Sequence, residues 1–268
     1  MNILEPSQSA WATIIVVHGI GEHSGRYQAL SEWLAKQGLR VCRYDHYGHG
    51  QASGKRGSIE YQTQLREDLL CHVRALAERY HEPLLLLGHS MGGLIVLDAA
   101  LSDGEGISGV IALSPAIRVT ANPLQRWLLP VLRRILPNIS LPTMLPPSGI
   151  SHDPAVVAAY AQDPLVHDRI TPTLAHYILN AGARVLKAAQ HWQLPTLLLY
   201  AGADQLVDPT GSGDFLERAS KDKVRGVCFP EAYHELHHEP DTTEFYTALE
   251  HWLGAHRNRL QQRDEADV

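Results

Sequence analysis

Ser90 stands in Gly88-His89-Ser90-Met91-Gly92-Gly93, straight after the apolar run PLLLL (83–87) and straight before LIVLDAALS (94–102). A serine framed by glycines at this spacing, where a buried strand turns into a helix, is held in a strained backbone with its Oγ exposed. Small residues flank it because the sharp turn brings neighbouring backbone to where a Cβ would collide. The helix that follows supplies unpaired N–H groups and partial positive charge for a developing oxyanion. A hydroxyl is inert without a base, so the pattern demands an acid and a histidine further along the chain.

Both are present, in the order serine, acid, histidine that this kind of sheet uses. AGADQLVD (201–208) leaves the apolar run TLLLY (196–200), with Asp204 close to the end of that run. Asp208, just before Pro209, reads instead as the cap of the next helix. PEAYHELHHE (230–239) follows the run VRGVCF (224–229), and His234 is the first of its three histidines. A base on a short loop from a rigid strand can be fixed within hydrogen-bonding reach of a nucleophile, which favours His234 over His237 and His238. The same stretch satisfies the letters of H-E-x-x-H, a zinc signature that works only where a continuous helix turns both histidines to one metal. Here a strand ends just before it and Pro240 follows, so neither a helix nor a bound metal is expected.

A glycine-rich turn, Val17-His18-Gly19-Ile20-Gly21-Glu22, follows the first apolar run. It is placed to offer a second backbone donor beside the serine. The amides of Ile20 and Met91 are therefore the candidate oxyanion hole.

Six apolar runs must form the scaffold: 13–17, 39–44, 83–87, 109–113, 196–200 and 224–229. Runs such as LLLL do not alternate, so both faces should be buried, as in a parallel sheet. Leu65, Leu69, Val73, Leu76 and Tyr80 recur at steps of three and four and predict a covering helix. Phe245, Leu249, Trp252 and Leu253 predict another over 242–259. Between Pro115 and Leu194 prolines are frequent and no parallel strand is evident, with helical pieces expected at 123–136 and 174–190. The expected class is α/β, a mostly parallel sheet flanked by helices. The core spans 1–114 and 195–268, and a helical lid insertion occupies 115–194. Within that insertion the apolar stretch around Trp127–Pro137, with Ile139, Leu141, Met144 and Leu145, suits the wall of an acyl tunnel. Adjacent Arg133 and Arg134 offer transient contact with an anionic membrane surface.

Composition narrows the partners. The 268 residues carry a formal net charge of -6, which is wrong for a phosphate backbone, and no nucleic-acid partner is expected. The three cysteines (Cys42, Cys71 and Cys228) form no C-x-x-C pair, and Cys42 and Cys228 lie in apolar runs as small hydrophobes. With no leader-like N-terminus and no apolar stretch of about 18 residues, a cytoplasmic protein is expected. The chemistry outlined requires no cofactor.

HGIGEHSGRY (18–27), DHYGHG (45–50) with GKRG (54–57), GHSMGG (88–93), DPLVH (163–167), AGADQLVD and AYHELHHE (232–239) occur in this order. Together they resemble the monoacylglycerol lipase and lysophospholipase family of α/β-hydrolases, over nearly the whole chain from about Thr13 to Trp252. The resemblance implies a serine carboxylic-ester hydrolase for single-chain lipid esters, monoacylglycerol or lysophospholipid. A carboxylesterase for small non-lipid esters is the alternative. It places the family's nucleophile, acid and base on Ser90, Asp204 and His234, and implies a lid over an acyl pocket. It also implies that Glu22, Arg26 and His237 meet the alcohol end, although Glu22 and Arg26 equally suit a pair that braces the loop. Ala52 departs from the family's usual serine. The sheet is expected to begin abbreviated, since only about a dozen residues precede its first expected strand.

Overall fold

The computed structural model describes residues 1–119 and 123–266. Seven strands form one sheet in the order β1-β3-β2-β4-β5-β8-β9, where β1 is Asn2–Leu4, β2 Ala12–Val17, β3 Leu39–Arg43, β4 Leu84–His89, β5 Ile107–Leu113, β8 Thr196–Ala201 and β9 Val224–Phe229. All neighbours are parallel except β1, which pairs antiparallel with β3 through Ile3 and Cys42. The six apolar runs are thus strands. Ahead of the first of these runs three further residues, Asn2–Leu4, add a short edge strand, so the sheet begins with an abbreviated strand.

Each central strand divides its side chains between two cores, as the period of two requires. Ile15 and Val17 of β2, Leu86 of β4, and Val110 and Ala112 of β5 face one core. It is closed by α2 (Gln64–Arg79), α3 (Met91–Ser102), α6 (Pro172–Ala188) and α7 (Thr210–Arg218). Ile14, Val16, Leu87 and Ile111 face the other, under α1 (Gln28–Lys36) and α8 (Thr243–Ala266). β2 and β4 are buried along their whole length, which explains their unbroken apolar runs. The edge strand β9 is half open, and Cys228 is exposed, not the buried hydrophobe its neighbours suggested.

Between β5 and β8 the chain leaves the sheet as an inserted helical region. It contains α4 (Pro123–Ile135), α5 (Pro154–Gln162) and α6, with a two-residue antiparallel pair, β6 (Leu141–Pro142) and β7 (Arg169–Ile170). α5 and α6 begin with the same local chemistry. Asp153 and Thr171 cap their first turns by accepting from Ala155 and Leu174, and a proline follows each cap. α6 is firmly anchored, with Leu174, Tyr177, Ile178, Ala181 and Val185 in the core and Arg184 bidentate on the buried Asp98 of α3. No helix among the described residues is long and apolar enough to cross a membrane.

In the order β3-β2-β4-β5 the connection after β2 runs to one side and the connection after β4 to the other. In open α/β sheets the crevice at such a reversal, at the carboxyl ends of the strands, is where ligands bind. The turn after β2 and the turn after β4 meet there.

Candidate active site

Ser90 is the hinge between β4 and α3, with φ 55 and ψ -119. A non-glycine residue there costs roughly 1–3 kcal/mol and persists only when its surroundings hold it. Ser90 N–H donates to the Leu113 carbonyl at 2.9 Å, and the Ser90 carbonyl accepts from Leu94 and Ala116, each at 3.0 Å. A Cβ on Gly92 would fall on the Val17 carbonyl, so this close passage of β2 past the turn admits only glycine. α3 is buried on every side from Met91 to Ala100, so the platform under Ser90 is immobilised.

His234 Nδ1 donates to Asp204 Oδ2 at 2.7 Å. Asp204 Oδ1 accepts from the amides of Leu206 at 2.8 Å and Val207 at 2.9 Å, fixing the carboxylate from behind. Burial pushes the Asp204 carboxyl up, but the His234 ring and the two amides outweigh it and hold it below the usual carboxylate value. With Nδ1 committed to Asp204, Nε2 is the nitrogen left to take a proton. Ser90 and His234 line one cavity, and no hydrogen bond joins them among the described residues. Such links are often long until substrate binds. Asp208 accepts from the Thr210 amide and hydroxyl at 3.0 and 2.6 Å, one residue ahead of Pro209, which holds the N-cap position of α7.

The turn after β2 is pinned on both faces. His18 Nε2 accepts the His46 amide at 3.1 Å, so Nδ1 carries the proton and donates to the Gly19 carbonyl at 2.8 Å. Burial holds the His18 pKa below its ordinary value, consistent with this neutral ring. The Gly19 amide donates to Glu22 Oε1 at 2.6 Å, and Tyr27 Oη donates to the same oxygen at 2.6 Å. A Cβ on Gly19 would stand 3.2 Å from Ser90 Cβ, which is how near the turn comes to the hydroxyl. Met91 opens α3, so its amide has no partner within the helix. Neither it nor the Ile20 amide donates to another group among the described residues.

Two cavities meet at Ser90. One, of about 320 Å³, is mixed, with Glu22, His89, His167, His234 and Glu235 among apolar residues such as Pro146, Ile150 and Val166. The other, of about 240 Å³, is walled by Val119, Leu129, Ile170, Ile178, Leu179 and Val207. Ile20, Ser90 and Leu206 line both.

The structure therefore brings Ser90, Asp204, His234, the amides of Ile20 and Met91, and Glu22 to one crevice. Arg26 and His237 do not line it. Arg26 lies behind Glu22, donating to Glu22 Oε2 at 2.8 Å and bidentately to Glu235 at 2.5 and 2.7 Å. This is the bracing arrangement. His237 is buried with its ring stacked on Tyr27 at 5.1 Å, away from the cavity where substrate contact was expected of it. The segment 234–238 holds one short 3-10 turn, Leu236–His238, in place of an α-helix. His234 and His238 therefore turn to different carboxylates, Asp204 and Glu235, and among the described residues no group of three or more His, Cys, Asp or Glu is arranged to hold a metal. Glu235, His89 and Tyr160 were not singled out from the sequence. The signal for Glu235 was its place next to His234, inside a pattern read only for zinc.

The sequence matches the family described as serine aminopeptidase, S33, over residues 8–241. It is 40% identical over 249 residues to monoglyceride lipase of Rattus norvegicus, covering 89% of this chain and 80% of the relative. Against the monoacylglycerol lipase of Mycolicibacterium smegmatis the identity is 29% over 259 residues, covering 95% and 92%. The crystal structure of the Paleococcus ferrophilus monoacylglycerol lipase superposes with a TM-score of 0.88 at 34% identity, covering 95% and 98%.

Proposed function

The chain belongs to the monoacylglycerol lipase/esterase family of α/β-hydrolases, and from that premise we propose that it hydrolyses single-chain lipid esters, monoacylglycerol first among them. The observation that carries this reading is the meeting of two cavities at Ser90, one walled almost wholly by apolar side chains and fitted to an acyl chain, the other mixing carboxylates and imidazoles with apolar side chains and fitted to the alcohol. Among the residues lining the mixed cavity there are carboxylates and imidazoles but no lysine or arginine. That lining accepts hydrogen bonds from a neutral polyol and disfavours a phosphate, which ranks monoacylglycerol above lysophospholipid.

Ser90 Oγ attacks the ester carbonyl as His234 Nε2 takes its proton, and Asp204 stabilises the imidazolium. The oxyanion rests on the Ile20 and Met91 amides. His234 returns the proton to the departing alkoxide, which leaves as the alcohol, and a water then repeats the cycle on the acyl-enzyme. Of the stretch expected to wall an acyl tunnel, Leu129 and Leu145 line the apolar cavity, whereas much of the rest is turned outward. Trp127, Val131 and Ile135, at successive steps of four, are exposed on one side of α4, and Ile139, Leu141, Met144 and Leu145 extend the patch. With Arg133 and Arg134 beside them, these side chains suit transient contact with an anionic lipid surface.

The test is hydrolysis of p-nitrophenyl esters from acetate to palmitate, wild type beside Ser90→Ala. The expected result is a peak at medium or long chains and a loss in the variant of about 10⁶-fold. A peak at acetate would favour the small-ester carboxylesterase. Wild-type activity in Ser90→Ala would remove the serine from the mechanism.

A further inference from the structure

Resting on that reading of Ser90, His234 and Ile20, we propose that Glu235 is a positioning residue: through Arg26 and Glu22 it locks the loop carrying His234 to the turn carrying the Ile20 amide. The connection is a continuous line of charge-assisted hydrogen bonds. It runs from His238 Nδ1 to Glu235 Oε2 at 2.7 Å and from Glu235 to Arg26 at 2.5 and 2.7 Å. It continues from Arg26 to Glu22 at 2.8 Å and from Glu22 to the Gly19 amide at 2.6 Å. Glu235 in this line is the residue next to His234, and Gly19 at its far end is the residue next to Ile20. The planar guanidinium fixes the direction of the Glu235 carboxylate as well as its distance.

Stability alone gives a poor account of this cluster. The side chains of Glu22 and Glu235 are each 3% exposed and that of Arg26 9%. Two carboxylates on one guanidinium leave an excess negative charge out of water. Burying such groups costs several kcal/mol per ion, and apolar replacements of equal volume are often neutral or stabilising. What apolar residues cannot supply is a fixed distance between the loops. The backbone of the base loop is otherwise held by Gly149 and Ile150, whose carbonyls accept from His234 and Glu235 at 3.3 and 2.8 Å. A parallel path through His89 uses longer bonds, 3.3 Å to Glu22 Oε1 and 3.3 Å to the His234 carbonyl. From the insertion Tyr160 closes over the Arg26 guanidinium, 4.7 Å from its ring centroid.

Glu235→Gln keeps the shape but removes the charge and, in either amide orientation, turns an N–H toward an Arg26 N–H, which can only donate. Misplacement of about 1 Å costs on the order of 100-fold, so the expected result is a kcat for p-nitrophenyl butyrate lower by about that factor, with KM within about threefold. Rates are taken per serine titrated to completion with a fluorophosphonate, which removes any unfolded fraction from the comparison. A kcat loss below about tenfold, or a loss carried by KM, overturns the proposal, the second outcome making Glu235 a substrate contact. Glu235→Asp is read beside it, and alone if the glutamine variant does not fold. It keeps the charge but cannot span the same gap, so its kcat should fall by about fourfold or more, short of the glutamine variant's loss, and a smaller fall counts against the proposal. Failure of the underlying reading shows separately, as activity retained in Ser90→Ala.

Discussion

The edge of the sheet beneath the crevice and the insertion above it break opposite rules of burial. At the sheet edge charged groups are out of water: Glu22 is 3% exposed and Glu235 2%. In the insertion, apolar groups are in it: Met144 is 83% exposed, Trp127 71% and Ile135 68%. Each arrangement carries a cost, the first in desolvation and the second in forgone hydrophobic stabilisation of roughly 25 cal/mol per Å². The difference is in what each cost secures. Hydrogen-bonded charges fix distances, as catalysis requires. An exposed apolar stripe fixes nothing and is suited to meeting a second apolar phase. Substitutions in the two regions should therefore damage different kinetic quantities.

The largest effect after loss of the serine itself is expected at the sheet edge from Asp204→Asn. An amide there can donate to His234 Nδ1, stabilising the tautomer whose Nε2 carries the proton and cannot accept one from Ser90. The expected outcome is a fall in kcat of about 10⁴-fold with the fold intact, checked by ester hydrolysis beside a thermal melt. A loss under about 100-fold would pass the role to Asp208, although that carboxylate is occupied by Thr210.

The insertion should respond differently. Replacing Trp127, Ile135 and Met144 together with glutamine removes the stripe without touching either core. Activity on monoacylglycerol held in anionic vesicles should drop by about tenfold, equivalent to about 1.4 kcal/mol. Hydrolysis of dissolved p-nitrophenyl butyrate should stay within about twofold, surface substitutions being mild. Equal losses on both substrates would make the stripe part of the folded scaffold and erase the distinction between the regions.

The two regions also differ in how far they could be read in advance. Ser90, Asp204 and His234 each announce themselves locally, by leaving an apolar run at a turn, and the apolar runs gave six strands of the sheet. β1 could not be read this way, since three residues show no period, although they pair with β3 and set Leu4 against the second core. α5 was equally silent because it buries no residue and so has no apolar stripe, although Asp153-Pro154 was a usable start signal. The Glu235–Arg26 pairing joins positions 209 residues apart, and nothing in the local sequence of either names the other. His237 shows the converse failure. A histidine beside a base suggests substrate contact, whereas the adjacent 3-10 turn rotates its ring onto Tyr27.

The smallest expected effect separates the regions by pH. Around the turn after β2, burial holds His18 below its ordinary pKa, His46 and His49 well below, and His167 at about 4. His46 Nδ1 and His49 Nε2 have no hydrogen-bond partner among the described residues, and His167 Nδ1 already accepts the Arg169 amide at 3.2 Å, so no acceptor waits for an added proton. For a histidine depressed in the folded state, stability is complete above the unfolded value near 6.5 and is lost as pH falls toward the folded value. The buried carboxylates, also depressed, lose theirs only below about 4.3, where the unfolded forms begin to protonate. Between pH 6.5 and 5 the imidazoles therefore act almost alone, and Tm should decline through that window by about 2–4 °C for each kcal/mol lost. Hydrogen exchange at pH 5 should quicken first at residues 18–22 and 45–50, because a protonated His18 can no longer accept the His46 amide, while α4, which carries no histidine, keeps its neutral-pH protection. A Tm that holds level or rises between pH 6.5 and 5 would mean that these rings gain partners on protonation, and the turn bearing the Ile20 amide would then be held by something other than neutral histidine.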